Sequence, residues 1–356
     1  MPTVRPATPL GPVGLILPTF PQTIQPSWSA LSPSGRTSGT TRGAVTSEHY
    51  EACGSRAEAS HVTDEACDPM AELVGTCQAA EALGVDALWV TDHLFWHGPA
   101  LECMTALTVA ATATSRAMLG TCVVQLPLRQ APAVAKQAAS LQSLTRGRIV
   151  LGVGVGSHPG EYEVSGIDYA KRGHQLDQGM AQLRAAWASG AGVHDGDIGG
   201  TSSDRYRQLP APAAIPVWVG GSSEVALRRA AAAADGWIPM LLAPEAYRDA
   251  LGRLAKELDR AERPDDAVTR SVVLFASIDD DADEGLRRGT SWMSSLYGIP
   301  AKAFRRHLVA GSAETVARTV NAYREAGADH VALYITDDRP LPQIDRLLAA
   351  LSRITA

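Results

Sequence analysis

The sequence has little of several features that mark particular classes of protein. It has only five cysteines in 356 residues, an odd number with no CxxC pair, which favours a reducing, cytoplasmic setting over a disulfide-bonded, secreted one. Its apolar runs are all shorter than the roughly 18 residues that a membrane-spanning helix needs. The apolar stretch at residues 14–17 is too short for the core of a signal peptide. We therefore expect no membrane partner.

Basic character is also scarce. The formal net charge is −6, and the basic residues occur as scattered pairs, such as Arg228–Arg229 and Arg305–Arg306, without a continuous stripe. A nucleic acid partner is therefore not expected. Hydrophobic residues make up 45% and charged residues 20% of the chain, which is the ordinary balance of a globular protein with a large core. The expected partner is a small molecule.

One early segment differs in composition from the rest. Residues 21–68 are dominated by Ser, Thr, Gly, Ala and Pro with little apolar periodicity, which predicts a long insertion loop. Its potential metal ligands are His49, Cys53, His61 and Cys67. Zinc sites usually show tighter paired spacings, so no metal site is predicted.

The rest of the chain repeats one phrase, a helical pattern followed by glycine and a short apolar strand. Residues 81–90 (EALGVDALWV) and 325–334 (EAGADHVALY) are clear copies, and residues 231–238 are a looser one. Other short apolar runs, at residues 13–17, 118–124, 149–153, 216–219 and 271–276, complete a set of eight predicted strands. Helical patterns separate them, which predicts a (β/α)8 barrel, an α/β fold also called a TIM barrel. Without residues 21–68 and a second insertion predicted at 279–308, about 280 residues remain, close to the usual length of this barrel. A doubly wound open sheet is the alternative.

Candidate site residues follow the predicted strands, because active sites of such barrels lie at the carboxyl ends of the strands. Asp92, His93 and Trp96 come directly after the second strand. An acid, an imidazole and an indole in one cluster suit proton handling beside a flat, conjugated ligand. The alternative is that Asp92 caps a turn and His93 is structural. The position at a strand end favours the functional interpretation.

Glycines follow the fourth and fifth strands. The run at residues 152–160 lets the backbone approach a ligand closely, but its spacing does not match the GxGxxG pattern of dinucleotide-binding folds. After the fifth strand, Gly220, Gly221 and Ser222 precede a helix, whose free N–H groups and dipole favour a phosphate. The alternative there is a plain helix cap. Together the two segments predict a site for an extended, phosphorylated cofactor.

Several of these segments resemble one family. They are "WVTDH" at residues 89–93, the stretch from Leu119 to Gly156, "PVWVGGSS" at residues 216–223 and "ADGWIP" at residues 234–239. They resemble the bacterial luciferase-like monooxygenase superfamily and, within it, the branch that uses the deazaflavin coenzyme F420. This resemblance implies a (β/α)8 barrel, a flavin or deazaflavin at the carboxyl ends of the strands, and commonly a homodimer.

The resemblance also implies roles for individual residues. His93 would lie close to the reactive centre of the ring with Asp92 as its neighbour, and Trp96 would lie against the substrate. Cys122 and Val123 would form a bulge with a non-proline cis bond behind the ring. The cofactor would further be bound by the two glycine segments, that is by Gly154, Val155, Gly156, Ser157, His158, Gly220, Gly221 and Ser222. The sequence departs from the family pattern at Ser157. Sugar-phosphate dehydrogenases of this family have a glutamate at this position, directly after the glycine run, so the serine disfavours a sugar dehydrogenase.

These patterns lead to a first hypothesis for the chemistry. Coenzyme F420 would exchange a hydride with an enone, an imine or a carbonyl/alcohol pair, at a ring-to-acceptor distance of about 3–3.5 Å. His93 would relay the proton, oriented or charge-tuned by Asp92, and Glu161 would be a weaker alternative acid beside the substrate. The alternatives are an FMN-dependent monooxygenase on the same barrel and a non-catalytic flavin- or deazaflavin-binding protein.

Overall fold

The computed structural model describes residues 13–17, 68–96, 98, 100–188, 212, 214–337 and 340–354. The predicted insertion loop at residues 21–68 therefore lies outside the described residues, apart from Asp68. The described residues form ten strands and ten α-helices. The strands are β1 (Val13–Ile16), β2 (Ala87–Val90), β3 (Met118–Thr121), β4 (Val124–Gln125), β5 (Ile149–Gly154), β6 (Val217–Gly220), β7 (Gly236–Ile238), β8 (Thr269–Ile278), β9 (Leu308–Gly311) and β10 (His330–Ile335).

Most of the described helices begin at a capping side chain or at a proline in the first turn. Asp68 accepts a hydrogen bond from the Met70 N–H at 2.9 Å and Pro69 occupies the first turn, where its missing N–H costs nothing. The helices are α1 (Pro69–Ala82), α2 (Cys103–Ala113), α3 (Ala131–Leu144), α4 (Pro159–Val164), α5 (Arg172–Ala188), α6 (Glu224–Ala233), α7 (Pro244–Arg260), α8 (Ala282–Tyr297), α9 (Ala313–Ala326) and α10 (Pro340–Ile354). Among these described helices, none combines the length and the apolar character that crossing a membrane requires.

Eight strands close into a parallel barrel, as predicted. The ring runs β1, β2, β3, β5, β6, β7, β8, β10 and back to β1, with every pairing parallel. The prediction of one strand over residues 118–124 is corrected in detail, because that stretch is divided into β3 and β4, both of which pair with β5. Closure excludes the alternative of an open sheet.

Two indole rings fill the interior of the barrel. Trp89 and Trp218 are buried, with ring centroids 5.1 Å apart, and the Trp89 Nε1–H donates to His330 Nε2 at 3.1 Å. Glycine faces each indole, because a Cβ at Gly120 would overlap Trp89 and one at Gly236 would overlap Trp218. The packed interior leaves the carboxyl ends of the strands as the place for a site.

The segment after β8 adds a covering element to the barrel. Residues 279–308 contain α8 and a short 3-10 turn, and they lead into β9, which pairs with β8 outside the ring. Met293 of α8 and Phe304 belong to the same buried cluster as the barrel-lining residues Cys122, Phe275 and Tyr334. This second insertion therefore packs against the interior of the barrel at its carboxyl end.

Candidate active site

A hydrogen-bonded pair of an imidazole and a carboxylate lies after β2. His93 Nδ1 is 3.0 Å from Glu161 Oε2, and the side chains are 21% and 1% exposed. The other carboxylate oxygen, Oε1, accepts the N–H groups of Leu94 at 2.9 Å and Phe95 at 3.2 Å. Since an ionised carboxylate only accepts, Nδ1 of His93 carries the proton. Its Nε2 has no hydrogen-bond partner among the described residues, so this nitrogen is available to a ligand.

Gln125 of β4 completes the support of this pair. Its Nε2 donates to both oxygens of Glu161, at 3.2 and 3.1 Å, and to the Asp92 carbonyl oxygen at 3.0 Å. Burial alone would raise the pKa of Glu161, but the hydrogen bonds from His93, Gln125 and the Phe95 N–H outweigh it and hold that pKa below its usual range. Glu161 is therefore ionised at neutral pH.

The predicted partner of His93 is corrected by this geometry. Asp92 was expected to orient or charge-tune His93, but its carboxylate accepts the Gln125 N–H at 2.9 Å and binds Arg129 through two atoms, at 2.6 and 3.2 Å. Arg129 also pairs with Glu102 at 2.8 Å. Asp92 is 4% exposed. Its bonds to the Gln125 backbone and to Arg129 hold the loop after β2 in place, while Glu161 orients His93.

Glu161 is likewise not placed as a direct acid for the substrate. Its carboxylate is covered by His93, Gln125 and the loop after β2, and four donors already occupy its oxygens. The glutamate predicted as an alternative acid beside the substrate is thus a positioning residue for His93.

One acidic cluster could be considered as a metal site. Atoms of Asp92, Glu102 and Cys103 lie within 4.8 Å of one another, but the Arg129 guanidinium already neutralises both carboxylates. Burial raises the pKa of the Cys103 thiol well above its usual value, which disfavours the thiolate form that metals bind. The potential ligands His49, Cys53, His61 and Cys67 lie outside the described residues.

Trp96 lies directly on His93. The two ring centroids are 3.8 Å apart at an interplanar angle of 30°, and the indole N–H donates to the Leu296 carbonyl oxygen at 3.0 Å. His158 meets the edge of the same indole at 5.3 Å and Tyr297 does so at 6.0 Å. His158, predicted as a cofactor ligand, is therefore brought next to the proposed substrate-facing tryptophan.

The peptide bond between Cys122 and Val123 is cis, as the family resemblance implies. The side chain of Val123 lies between two of the predicted cofactor glycines, because a Cβ at Gly154 would come within 2.6 Å of it and a Cβ at Gly220 within 3.2 Å. Val123 is half-buried. Strands β4, β5 and β6 thus meet at one partly exposed patch at the carboxyl end of the barrel.

The loop after β5 needs glycine for two reasons. Gly156 has φ +67°, and a Cβ there would overlap Gln125 Oε1, so the loop passes directly over the support of His93. Its carbonyl groups are held by tyrosines, with the Tyr162 hydroxyl donating to the Val155 oxygen and the Tyr169 hydroxyl to the Ser157 oxygen at 3.3 Å. The loop therefore has a fixed backbone beside the patch.

The predicted phosphate site lies at the start of α6. Gly221 has φ +106°, and Ser223 caps the helix by accepting the Ala226 N–H at 3.2 Å. The N–H groups of Glu224 and Val225, which precede Ala226 in the first turn, have no partner within the helix. Residues 221–225 are exposed. The cap is Ser223, which leaves the Ser222 hydroxyl and these two N–H groups for an anion.

Sequence reasoning missed Gln125, Arg129 and Tyr297 as site residues. Gln125 directly follows the predicted strand at residues 118–124, which contains Cys122 and Val123, so its position after a strand end could have identified it. The position of Tyr297 depends on how the insertion after β8 folds back, and no short-range pattern fixes that.

A closed parallel barrel with an oriented imidazole at the carboxyl ends of its strands is the architecture of a (β/α)8 barrel enzyme. The family model described as "Luciferase-like monooxygenase" matches residues 50–297. The chain belongs to this family, which confirms the prediction.

Three known proteins are similar to the chain. The F420-dependent glucose-6-phosphate dehydrogenase of Amycolatopsis mediterranei is 26% identical, over 74% of this chain and 88% of its own length. The phthiodiolone/phenolphthiodiolone dimycocerosates ketoreductase of Mycobacterium bovis is 28% identical, over 64% of this chain and 67% of its own length. The structure of an F420-dependent secondary alcohol dehydrogenase with an F420–acetone adduct has a TM-score of 0.70 at 18% identity, and the match covers 80% of this chain and 95% of that chain.

Proposed function

We propose that the protein is an oxidoreductase that transfers a hydride between coenzyme F420 and a small organic substrate, an enone, an imine or a carbonyl/alcohol pair. The observation that carries the proposal is the His93–Glu161 pair, which lies at the carboxyl end of the barrel beside Gln125 and the loop of Gly156. It offers one oriented, uncommitted imidazole nitrogen where a family cofactor would react.

The described residues fit a deazaflavin with a phosphate-bearing side chain. The half-buried patch of Val123, Gly154 and Gly220 offers an apolar, narrow contact for a flat ring, and the exposed start of α6 at Ser222 offers backbone N–H groups to a phosphate. Val155, Ser157 and Gly221 belong to the same two glycine segments, and their backbone would contact the remainder of the cofactor. When bound, F420 supplies two electrons and one proton as a hydride at C5.

The chain's own contribution is to position groups and to move a proton. With Nδ1–H held by Glu161, Nε2 of His93 can give a proton to a carbonyl oxygen when the imidazole is charged, or accept one from an alcohol when it is neutral. Trp96 covers one face of the imidazole at 3.8 Å and keeps water from it. Oriented general acid–base groups contribute about 10²- to 10⁴-fold to turnover.

The printed names of the relatives support both the cofactor and the substrate type. Two of them name F420, and the three name a sugar-phosphate dehydrogenase, a ketoreductase and a secondary alcohol dehydrogenase. Each interconverts, by name, an alcohol and a carbonyl group. The carbonyl/alcohol pair is therefore the favoured substrate within the proposal.

Cofactor titration separates this proposal from its two alternatives. Purified protein is titrated with oxidised F420 and with FMN, and the fluorescence of each cofactor is followed. We expect saturable binding of F420 at lower concentration than FMN. Preferential binding of FMN would favour a flavin monooxygenase, and F420 binding without turnover of any ketone, enone or imine would favour a non-catalytic binding protein.

Replacement of His93 tests the proton relay. His93→Ala is expected to lower turnover about 10²-fold or more while F420 binding changes little, because the ring patch and the phosphate site are unchanged. His307→Ala is a matched control, since His307 lines a surface cavity with Leu241 and Thr319. Wild-type turnover in His93→Ala would remove this histidine from the mechanism.

Two further predictions accompany the proposal. Family resemblance implies a homodimer, which sedimentation of the purified chain would test. The cysteine pattern favours a cytoplasmic location, which fractionation of the producing cell would test.

A further inference from the structure

The second half of α8 forms an aromatic surface over the carboxyl end of the barrel. Its side chains Trp292, Leu296 and Tyr297 pack against the cluster that lines the barrel. Trp292 meets Tyr334 of β10 at 5.4 Å, and Tyr334 stacks on Phe275 of β8 at 5.2 Å with an interplanar angle of 13°. The insertion after β8 and the two last ring strands thus share one aromatic layer.

This layer continues without a break to the proposed proton relay. Tyr297 contacts Phe304 at 5.6 Å and the edge of Trp96 at 6.0 Å, and Trp96 in turn lies 3.8 Å from His93. The indole of Trp96 is also hydrogen-bonded to the Leu296 carbonyl oxygen. We call this layer the aromatic wall; its members are Trp96, Phe275, Trp292, Tyr297, Phe304 and Tyr334.

The part of α8 that carries Trp292 and Tyr297 presents no charged group to a ligand, and the cations of the following turn, Lys302, Arg305 and Arg306, are exposed to solvent. Residues 289–300 contain no Asp, Glu, Lys or Arg, and the loops after β2, β5, β6 and β7 contain no lysine or arginine. The nearest charge on α8, Arg288, pairs with Asp279 at 2.7 Å and with Asp337 at 3.4 Å. A phosphate or carboxylate placed against Trp292 and Tyr297 would therefore be desolvated without a cation of α8 to pair with, which is costly.

The wall does contain one polar atom that lacks a protein partner. The Tyr334 hydroxyl is buried, in a residue 3% exposed, and has no hydrogen bond among the described residues. Unpaired buried hydroxyls are rare in folded proteins, and a carbonyl oxygen or a water molecule would satisfy this one. The wall therefore offers a neutral hydrogen bond and no charge.

We infer that the substrate is an uncharged, flat ketone whose carbonyl is conjugated to an aromatic or similarly planar apolar group. This inference rests on the proposed function. The planar group packs on the aromatic wall and the carbonyl lies at His93. The carbonyl carbon takes the hydride from reduced F420, its oxygen takes a proton relayed by His93, and the products are a secondary alcohol and oxidised F420.

The test uses two ketones with the same aryl ketone core, the uncharged methyl 4-acetylbenzoate and the anionic 4-acetylbenzoate, with glucose 6-phosphate as a third compound. Reduction of the ketones with reduced F420, and oxidation of the sugar with oxidised F420, give kcat/KM values for the whole chain. We expect the ester to exceed the carboxylate by about tenfold or more and the sugar phosphate to show no turnover. Equal use of the two ketones, or a preference for the sugar phosphate, would overturn the inference.

A binding measurement separates this inference from the proposed function. Tryptophan fluorescence of the F420-loaded protein is followed as each ketone is added, since Trp96 and Trp292 belong to the wall. Tighter binding of the ester without turnover would support the substrate class and count against the hydride transfer. Absent or equal binding of the two ketones would overturn the substrate class whatever the turnover.

A pair of variants locates the binding. Tyr297→Ala is expected to weaken ester binding about fivefold or more while F420 still binds, and Ile299→Ala, which changes a side chain in an exposed position (46%), is expected to leave it unchanged. Unchanged ester binding in Tyr297→Ala would place the ketone away from the wall.

Discussion

Removing the charge of Glu161 is the most informative single change in this protein. Glu161→Gln keeps the size of the side chain, and the new amide oxygen can still accept the N–H groups of Leu94 and Phe95. The new amide N–H2, however, replaces an acceptor that serves His93 at 3.0 Å and Gln125 at 3.1 Å. The amide N–H groups of the new glutamine would then face the N–H groups of His93 and Gln125 without an acceptor between them.

The size of the effect follows from the hydrogen bond that is lost. A hydrogen bond to a charged group contributes about 1.5–3 kcal/mol. If that energy is used to hold His93 in its working orientation, turnover falls by about 10- to 150-fold, at about 1.4 kcal/mol per factor of ten. The unsatisfied donors cost the folded state about 1–3 kcal/mol of unfolding free energy at neutral pH.

The pH dependence of the variant gives a second readout. Folding lowers the pKa of Glu161 below its ordinary 4.5, so the carboxylate stabilises the fold above that ordinary value, and the contribution is lost as pH falls through the lower folded-state pKa. The stability difference between the parent chain and Glu161→Gln should be full at pH 7 and shrink below about pH 4.5.

The assay is steady-state turnover with a saturating ketone, F420 titration, and urea unfolding at several pH values. Glu163→Gln is the matched control, since Glu163 lies two residues away on the same helix and is exposed. We expect a loss of kcat in Glu161→Gln with little change in F420 binding. Equal kcat in both variants, or a stability difference independent of pH, would refute the positioning role.

Two further changes test the local structure around the site and the barrel. Gly156→Ala and Gly166→Ala both place a side chain at φ +67°, but only the alanine at 156 would overlap Gln125 Oε1, because the space at 166 is open. Gly166→Ala should lower the free energy of unfolding by about 1–2 kcal/mol, and Gly156→Ala should lower it further. Equal melting temperatures of the two variants would contradict this packing. Glu81 accepts the N–H groups of residues 115–117 at 2.7–3.1 Å, and these bonds outweigh burial and lower its pKa to about 2. Glu81→Gln should therefore destabilise the protein at pH 7, with a difference that narrows between pH 4.5 and 2; a constant difference would show that ionisation is irrelevant there.

The barrel could be predicted because its signals are local. Most strands of the ring are short apolar runs buried on both faces, and most helices begin at a capping side chain or a proline, as with Asp68 and Pro69. The repeated phrase at residues 81–90 and 325–334 ends in β2 and β10, which both pair with β1. The position of His93 followed from the same rule, because a residue after a parallel strand must lie at the carboxyl end of the barrel.

Contacts between distant segments could not be predicted in the same way. Glu161 and His93 are 68 residues apart, and the pairing depends on how the glycine loop after β5 turns over Gln125. Asp92 is the carboxylate nearer to His93 in the sequence, but it forms an ion pair with Arg129 instead. A sequence pattern identifies which groups reach the carboxyl end of the barrel, and side-chain packing decides which of them bond to one another.

Transfer of a deuterium label tests the central claim most directly. Reduced F420 carrying two deuterium atoms at C5 is mixed with methyl 4-acetylbenzoate and the protein in the absence of oxygen, and the product is analysed by mass spectrometry and NMR. The account predicts a secondary alcohol with one deuterium on its carbinol carbon. An unlabelled alcohol, or a product that forms only with oxygen present and contains an oxygen atom from it, would contradict hydride transfer by this protein.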